Sequence, residues 1–345
     1  MAGRHATPLK FLAPVWFSLV MGLCGLSLAW QRASGAMGEL AQGFALALGV
    51  LALAVFVALS LFSLLRLQRY GQAWAEDLKH PVRHAFVAAI PIGLLLLVTV
   101  GVAIAGPQPG LLPLWWLASL SLLGITLWVL ARWWRPKEGL VWPALTPALF
   151  IPIVGNVLVP LAGVPLGQAD WSAAQFGIGL LFWPLVLVLL LMRIAVNGLW
   201  PERLLPAGFI LVAPPAVIGL AALQLGAPPL LAWLAWGMAL FSLLWAATLL
   251  KRIAKLPFGV PHWAMSFPLA AFAALTLRLA ELRTLAVGQG GLMQLLGVLA
   301  LAAASLVITG LVMATVRGLR DGSLLAPEPV AAIQPVAADG APVGR

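Results

Sequence analysis

Apolar residues run along this chain in long blocks, without the two-residue alternation of a strand or the one-sided stripe of a surface helix. The blocks are cut by polar or Pro/Gly breaks and fall at 8–30, 41–65, 84–105, 112–132, 143–164, 173–196, 204–224, 229–250, 262–284 and 291–316. About 20 apolar residues carry an α-helix across the hydrocarbon of a bilayer, so the pattern predicts ten transmembrane helices. The stretch 11–29 has the length of a secretory signal. It contains Pro14 and runs into Trp30-Gln31-Arg32 without a small-residue cleavage site, so it reads as a retained first span.

Composition agrees with this pattern. Of 345 residues, 63% are hydrophobic and 9% charged, where a soluble domain carries about 25% charged residues. That is too little charge to solvate a globule of this size, and a soluble enzyme is excluded. The net charge of +10 reflects topology and calls for no nucleic acid. With both termini cytoplasmic and ten spans, 17 of the 20 Lys and Arg residues fall on the cytoplasmic side, and only Arg32, Arg278 and Arg283 on the other. Short loops rich in Lys and Arg stay in the cytoplasm. The expected organisation is a cytoplasmic leader over 1–7, a transmembrane domain over 8–320 in the plasma (inner) membrane, surrounded by lipid, and a disordered cytoplasmic tail over 321–345.

The odd-numbered blocks share a feature. Pro14, Pro91, Pro152, Pro214 and Pro268 each stand some way in from the cytoplasmic start of blocks one, three, five, seven and nine, while Pro184 in block six breaks the rule. Proline removes a backbone donor and clashes with the preceding turn, which kinks a helix. Membrane helices are also rich in proline for reasons unrelated to any repeat. A common depth in five helices of one direction points to five helical hairpins that repeat one unit, with kinked helices ringing a central pore and straighter ones outside.

Chemistry inside the spans is sparse. No acid lies at a span centre, which counts against a proton-coupled pump or a carboxylate-lined cation path. The polar neutral residues Ser18, Thr99, Asn156, Gln175, Ser266 and Thr276 sit on odd blocks except for Gln175. Ser18, Thr99, Asn156 and Ser266 are candidate pore lining, or else bonds between helices. Arg193, at the inner end of block six, reads as an interfacial residue that snorkels, or else as a basic group near the inner mouth that favours anions. Arg278 is a candidate for attracting anions, or part of an outer ion-pair cluster with Glu281 and Arg283. His80 and His84 stand four apart with Pro81 between them and no third ligand near, and Cys24 is the lone cysteine. No cofactor or metal is implied, and no HExxH, GxSxG or P-loop pattern occurs, so no enzyme is expected.

Three strings carry a resemblance: Pro14-Val15-Trp16-Phe17-Ser18-Leu19-Val20-Met21-Gly22 with Gly25-Leu26 and Ala29-Trp30 after it, His80-Pro81-Val82-Arg83 running to Ile90-Pro91, and Trp263-Ala264-Met265-Ser266-Phe267-Pro268. They resemble the tellurite-resistance/dicarboxylate transporter family, which includes TehA and the slow-type anion channels of plant guard cells. The resemblance implies five hairpins around a pore in each subunit of a homotrimer. It also implies an all-α channel for small inorganic anions or dicarboxylates, with Phe267 as the gate. Phe272, five residues on, is a second aromatic that could share that role. The alternative is a secondary transporter or exporter of anionic metabolites such as malate or sulfite, or one linked to tellurite resistance. A third reading, a membrane enzyme or assembly subunit without a pore, lacks any supporting motif.

Overall fold

The computed structural model describes residues 8–135, 142–288 and 291–325. The expected leader over 1–7 and the tail beyond 325 lie outside the described residues. Those described contain helices, turns and loops and no strand. Nine helices among them are long and apolar enough to cross a membrane: α1 (Pro14–Met37), α2 (Glu39–Arg69), α3 (Arg83–Ala105), α4 (Leu111–Trp133), α6 (Ala169–Asn197), α7 (Glu202–Gln224), α8 (Pro229–Ala247), α9 (Val260–Ala286) and α10 (Gly291–Arg320). The chain is an all-α polytopic membrane protein.

The fifth apolar block differs from the expected continuous helix. It folds as α5, a shorter apolar helix over Pro147–Gly163. Within it, 3₁₀ turns at Pro147–Leu149 and Gly155–Leu158 alternate with α turns at Phe150–Val154 and Pro160–Gly163. Pro147, Pro152 and Pro160 each deny the backbone a donor, which no uninterrupted helix survives. A 3₁₀ turn rises faster than an α turn, so these 17 residues still extend roughly 29 Å, against about 30 Å of hydrocarbon.

Consecutive helices pack as antiparallel pairs: α1 with α2, α3 with α4, α5 with α6, α7 with α8, α9 with α10. Gly38, at φ 62°, makes the turn in the first pair. The two members of a pair differ sharply in burial. The apolar windows of α1, α3, α7 and α9 are 56–83% buried, those of α2, α4, α6, α8 and α10 only 22–33%, and α5 has no exposed residue. Each buried helix touches the next, α1 to α3, α5, α7 and α9, and α9 returns to α1. The result is a closed inner ring of five, sheathed by five outer helices with apolar outward faces.

Every inner helix begins with a tighter 3₁₀ stretch: Pro14–Phe17, Arg83–Ala88, Pro147–Leu149, Glu202–Val212 and Val260–Met265. The proline positions account for it. An α-helical proline clashes with the carbonyl four residues earlier. For Pro91, Pro152, Pro214 and Pro268 that residue is Val87, Ala148, Ile210 or Ala264, each inside the 3₁₀ stretch. The α segments then start at Ala89, Phe150, Ala213 and Ser266, which puts each proline second or third, where its missing donor costs least. Pro14 instead opens its own 3₁₀ turn, and the residue four before it, Lys10, lies in the 3₁₀ turn Pro8–Phe11. Pro184 sits inside the regular α6.

Small residues bring the ring together. A Cβ on Gly22 would collide with Ser266 Oγ, and one on Gly25 would stand 2.9 Å from Phe267 Cδ2. Close backbone approach of this kind is the usual basis of helix association in lipid. Polar bonds tie the sheath to the ring. Gln175 on α6 donates to Asn156 Oδ1 at 2.8 Å and to the Ser119 carbonyl at 3.0 Å, and it accepts from Ser119 Oγ at 2.6 Å. Asn156 donates in turn to Thr126 Oγ1 at 2.9 Å. Replacing Gln175 by Leu leaves Asn156 Oδ1 without its donor and the Ser119 hydroxyl without its acceptor, so the melting temperature of Gln175→Leu in detergent should fall, corresponding to a loss of about 1–3 kcal/mol. An unchanged melting curve would show that this network does not hold α4, α5 and α6 together.

Candidate functional site

All five inner helices line one cavity of about 1800 Å³. They run in the same direction from its mouth, so the last lining residue on each marks how far the cavity reaches. Those residues are Met21, Ile92, Leu158, Val217 and Pro268, with Phe267 beside the last. Each inner helix thus contributes an apolar group at the closed end. The floor is an apolar collar, and water in contact with it has no partner for its hydrogen bonds.

Phe267 is 9% exposed. Its ring lies against Gly25, as the 2.9 Å approach shows, and a Cβ there would also stand 3.1 Å from Ala270 Cβ. The residues around Phe267 hold it in place. The Trp263 indole donates to Thr315 Oγ1 on α10 at 2.9 Å, and Ser266 Oγ donates to the Trp263 carbonyl at 2.6 Å. Trp263 thereby fixes the 3₁₀ turn to the sheath, Ser266 fills the gap opposite Gly22, and the next side chain, Phe267, lines the cavity against Gly25.

The mouth is charged and predominantly basic. Lys10, Arg66, Arg83, Arg193, Arg203 and Arg252 line it, against Glu76, Asp77 and Glu202. Asp77 is buried and held from two sides, by Arg66 at 2.7 Å and Arg83 at 2.9 Å. Arg66 also donates to the Lys10 carbonyl at 3.0 Å, which pins the approach to α1 onto the end of α2. Glu202 pairs with Arg252 at 3.0 Å on the open rim.

Of the candidates from the sequence, Ser18 and Phe267 line this cavity, and Ser18 Oγ donates to the Val15 carbonyl at 2.6 Å. Thr99, Asn156, Ser266 and Phe272 are buried but are not among its lining residues. Thr99 Oγ1 donates to the Leu95 carbonyl within its own helix, and Asn156 belongs to the network with Gln175. Phe272 stacks on Trp236 of α8, with ring centroids 6.2 Å apart. Five residues turn a helix by about 140° beyond a full revolution, so Phe272 faces the sheath while Phe267 faces the ring. Arg278 bonds Glu281 at 2.6 Å, and Arg32 joins at 3.8 Å, in an exposed cluster at the far end of α9. His80 caps a turn, its Nδ1 accepting from the backbone N–H groups of Val82 and Arg83.

Arg193 differs most from the first of its two sequence readings. It is 6% exposed and lines the cavity, so it turns away from lipid and does not snorkel. The collar residues also escaped notice. They stand at +7, +1, +6 and +3 from the prolines of their helices, so no constant spacing picks them out. Buried Asp77 gave no signal either, because its loop reads as polar and solvated.

The comparisons with known proteins agree with this architecture. The sequence model of a family described as SLAC1, voltage-dependent anion channel, matches residues 12–316. The chain is 24% identical over 272 residues to the S-type anion channel SLAH2 of Arabidopsis thaliana, covering 77% of this chain and 52% of the plant protein. It is 28% identical over 264 residues to the tellurite resistance protein TehA homolog of Haemophilus influenzae, covering 75% of this chain and 78% of that one. An uncharacterised transporter of Methanocaldococcus jannaschii is 24% identical over 293 residues, covering 77% of this chain and 83% of that one. The chain thus spans about half the length of the plant channel and most of the two microbial proteins. With the matched region running from the 3₁₀ start of α1 nearly to the end of α10, the chain belongs to the SLAC1 voltage-dependent anion channel family.

Proposed function

We propose that this protein is a passive anion channel with one conduit in each subunit, gated at Phe267. The observation that carries this reading is the single cavity shared by all five inner helices, basic at its mouth and apolar at its floor, with Phe267 in the collar. In the proposed arrangement α5 completes ten crossings, the cavity mouth and both termini face the cytoplasm, and subunits assemble as a homotrimer in the plasma (inner) membrane. The excess of arginine and lysine at the mouth raises the local concentration of anions and repels cations. A narrow apolar constriction excludes water, and with it ions, until it widens. Conduction then requires only that the phenyl ring leave the axis, with no chemical step and no cofactor.

A coupled exporter of a dicarboxylate or sulfite is the rival reading, in keeping with the transporter and tellurite-resistance names among the relatives. Coupled export requires a site that loads an ion or proton as the substrate moves. The acids that line the cavity, Glu76, Asp77 and Glu202, all belong to its mouth. Flux through the exporter would follow an imposed proton gradient, whereas flux through the channel depends only on the electrochemical gradient of the anion.

Removing the ring tests the gate. In oocytes or liposomes, Phe267→Ala should raise chloride and nitrate current by about tenfold or more, equivalent to lowering the barrier by ~1.4 kcal/mol. The reversal potential should stay anion-selective. An unchanged current would remove Phe267 from the gate.

Gly25 supplies the second test, because it leaves the space against which the ring rests. A Cβ there pushes the ring toward the axis, so Gly25→Ala should reduce the residual current. In the Phe267→Ala background the same change should have no effect. An equal reduction in both backgrounds would mean that Gly25 acts on the packing of α1 against α9 and not on the ring.

A further inference from the structure

The wall of the cavity near its mouth contains a group of hydrogen-bond donors that the gating account leaves unused. Arg193 reaches into it from the sheath helix α6. Its Nε donates to the Trp142 carbonyl at 3.0 Å and its Nη1 to the Gly198 carbonyl at 3.0 Å. Two neutral carbonyls fix the plane of the guanidinium but leave its charge uncompensated, and among the described residues no carboxylate forms an ion pair with it. A buried charge is ordinarily paired.

The two stretches that Arg193 bridges each carry another buried donor. Thr146 lies four residues beyond Trp142, and Trp200 two residues beyond Gly198. Both line the same cavity. Among the described residues, neither Thr146 Oγ1 nor the Trp200 indole N–H has a hydrogen-bond partner, and both atoms are buried. Buried donors without acceptors are rare in folded proteins and ask for a cause. Two of them, on two segments joined by one arginine whose charge has no counter-ion among the described residues, have a common one. Guanidinium and indole groups can only donate, so a ligand there must offer acceptors.

We propose that Arg193, Trp200 and Thr146 form a binding subsite for a small oxyanion, of the size of nitrate or a short carboxylate, at the mouth of the cavity. The subsite deepens the channel reading and rests on it in one respect: an anion held there is the one that next meets the collar. Several acceptor oxygens satisfy a planar guanidinium, an indole N–H and a hydroxyl together, as a single spherical ion cannot. Arg66 and Arg83 share the one carboxylate of Asp77, which leaves a net positive charge at the same mouth.

The experiment measures binding without requiring conduction. Full-length protein in detergent is melted in sodium nitrate and in sodium gluconate at equal ionic strength. A ligand that binds only the folded state raises the melting temperature, so nitrate should raise it over gluconate in wild type. The shift should vanish in Arg193→Gln and shrink in Trp200→Phe and Thr146→Val, and Arg193→Lys should keep part of it. Trp200→Phe preserves the ring and carries the test if Arg193→Gln does not fold. A nitrate shift that survives intact in Trp200→Phe and Thr146→Val, or is missing in wild type, overturns the subsite. A chloride shift equal to that of nitrate overturns its assignment to oxyanions.

Currents separate this proposal from the gate. In the Phe267→Ala background, the nitrate concentration for half-maximal current from the mouth side should rise about fivefold in Arg193→Gln, the scale of one lost charge-assisted bond. If Phe267→Ala carries no current while the melting shifts behave as stated, the conduit falls and the subsite stands. If the current appears and its half-saturation is the same in Arg193→Gln, the subsite falls and the conduit stands.

Discussion

Lipid offers a peptide group nothing to bond with, and this constraint shapes the molecule. Irregular backbone survives at membrane depth only where protein or a water-filled cavity surrounds it. The five 3₁₀ stretches and the broken α5 are such backbone, and they sit inside. The regular outer helices, with their internal bonds complete, face outward. The proline that unwinds an inner helix therefore also decides which side of the hairpin that helix can occupy. Once five hairpins obey the same rule, their unwound ends gather around one axis, and the cavity is the space those ends enclose.

The cavity then divides by chemistry along its depth. Its wide mouth can be solvated, so charge collects there, and Asp77 is held between two arginines because burial forbids leaving it unpaired. The two ion pairs on Asp77, with the bond from Arg66 to the Lys10 carbonyl, fasten the N-terminal approach, the end of α2 and the start of α3 in a single arrangement. Further in, the last lining residue on each inner helix is apolar. Phe267 is held at that level by bonds its neighbours make to the sheath, while its own ring rests on a glycine with no side chain in the way. Trp263 and Ser266 anchor the start of α9, and the ring fills the space that Gly25 leaves.

Much of this was legible in the amino-acid order, and the reason differs from case to case. Hydropathy located the spans because the solvent requirement acts on blocks of residues and tolerates any one exception. Proline depth pointed to the inner helices because its backbone cost is local and the same in every sequence context. The string around Phe267 stood out through a family likeness, and its anchoring explains why those residue types occur together. Side-chain direction was not legible. Phe272 and Phe267 look equivalent as letters, and only the turn of the helix between them sends one ring to Trp236. Asn156 appeared as a polar residue on an inner helix, and its partner Gln175 lies on the helix that seemed the exception. Arg193, at the end of an outer helix, looked like a residue for the lipid surface until two backbone carbonyls turned it inward.

The account stands on water reaching from the basic mouth to the apolar collar and stopping there. The most direct measurement is modification of single cysteines by a charged thiol reagent applied from the mouth side, with Cys24→Ala as the background. Ser18→Cys, on the cavity wall, should react quickly. Ala221→Cys, one turn beyond the collar residue Val217 on α7, should resist until Phe267→Ala is added, and should then react. Labelling of Ala221→Cys with Phe267 in place, or protection of Ser18→Cys, would contradict the account.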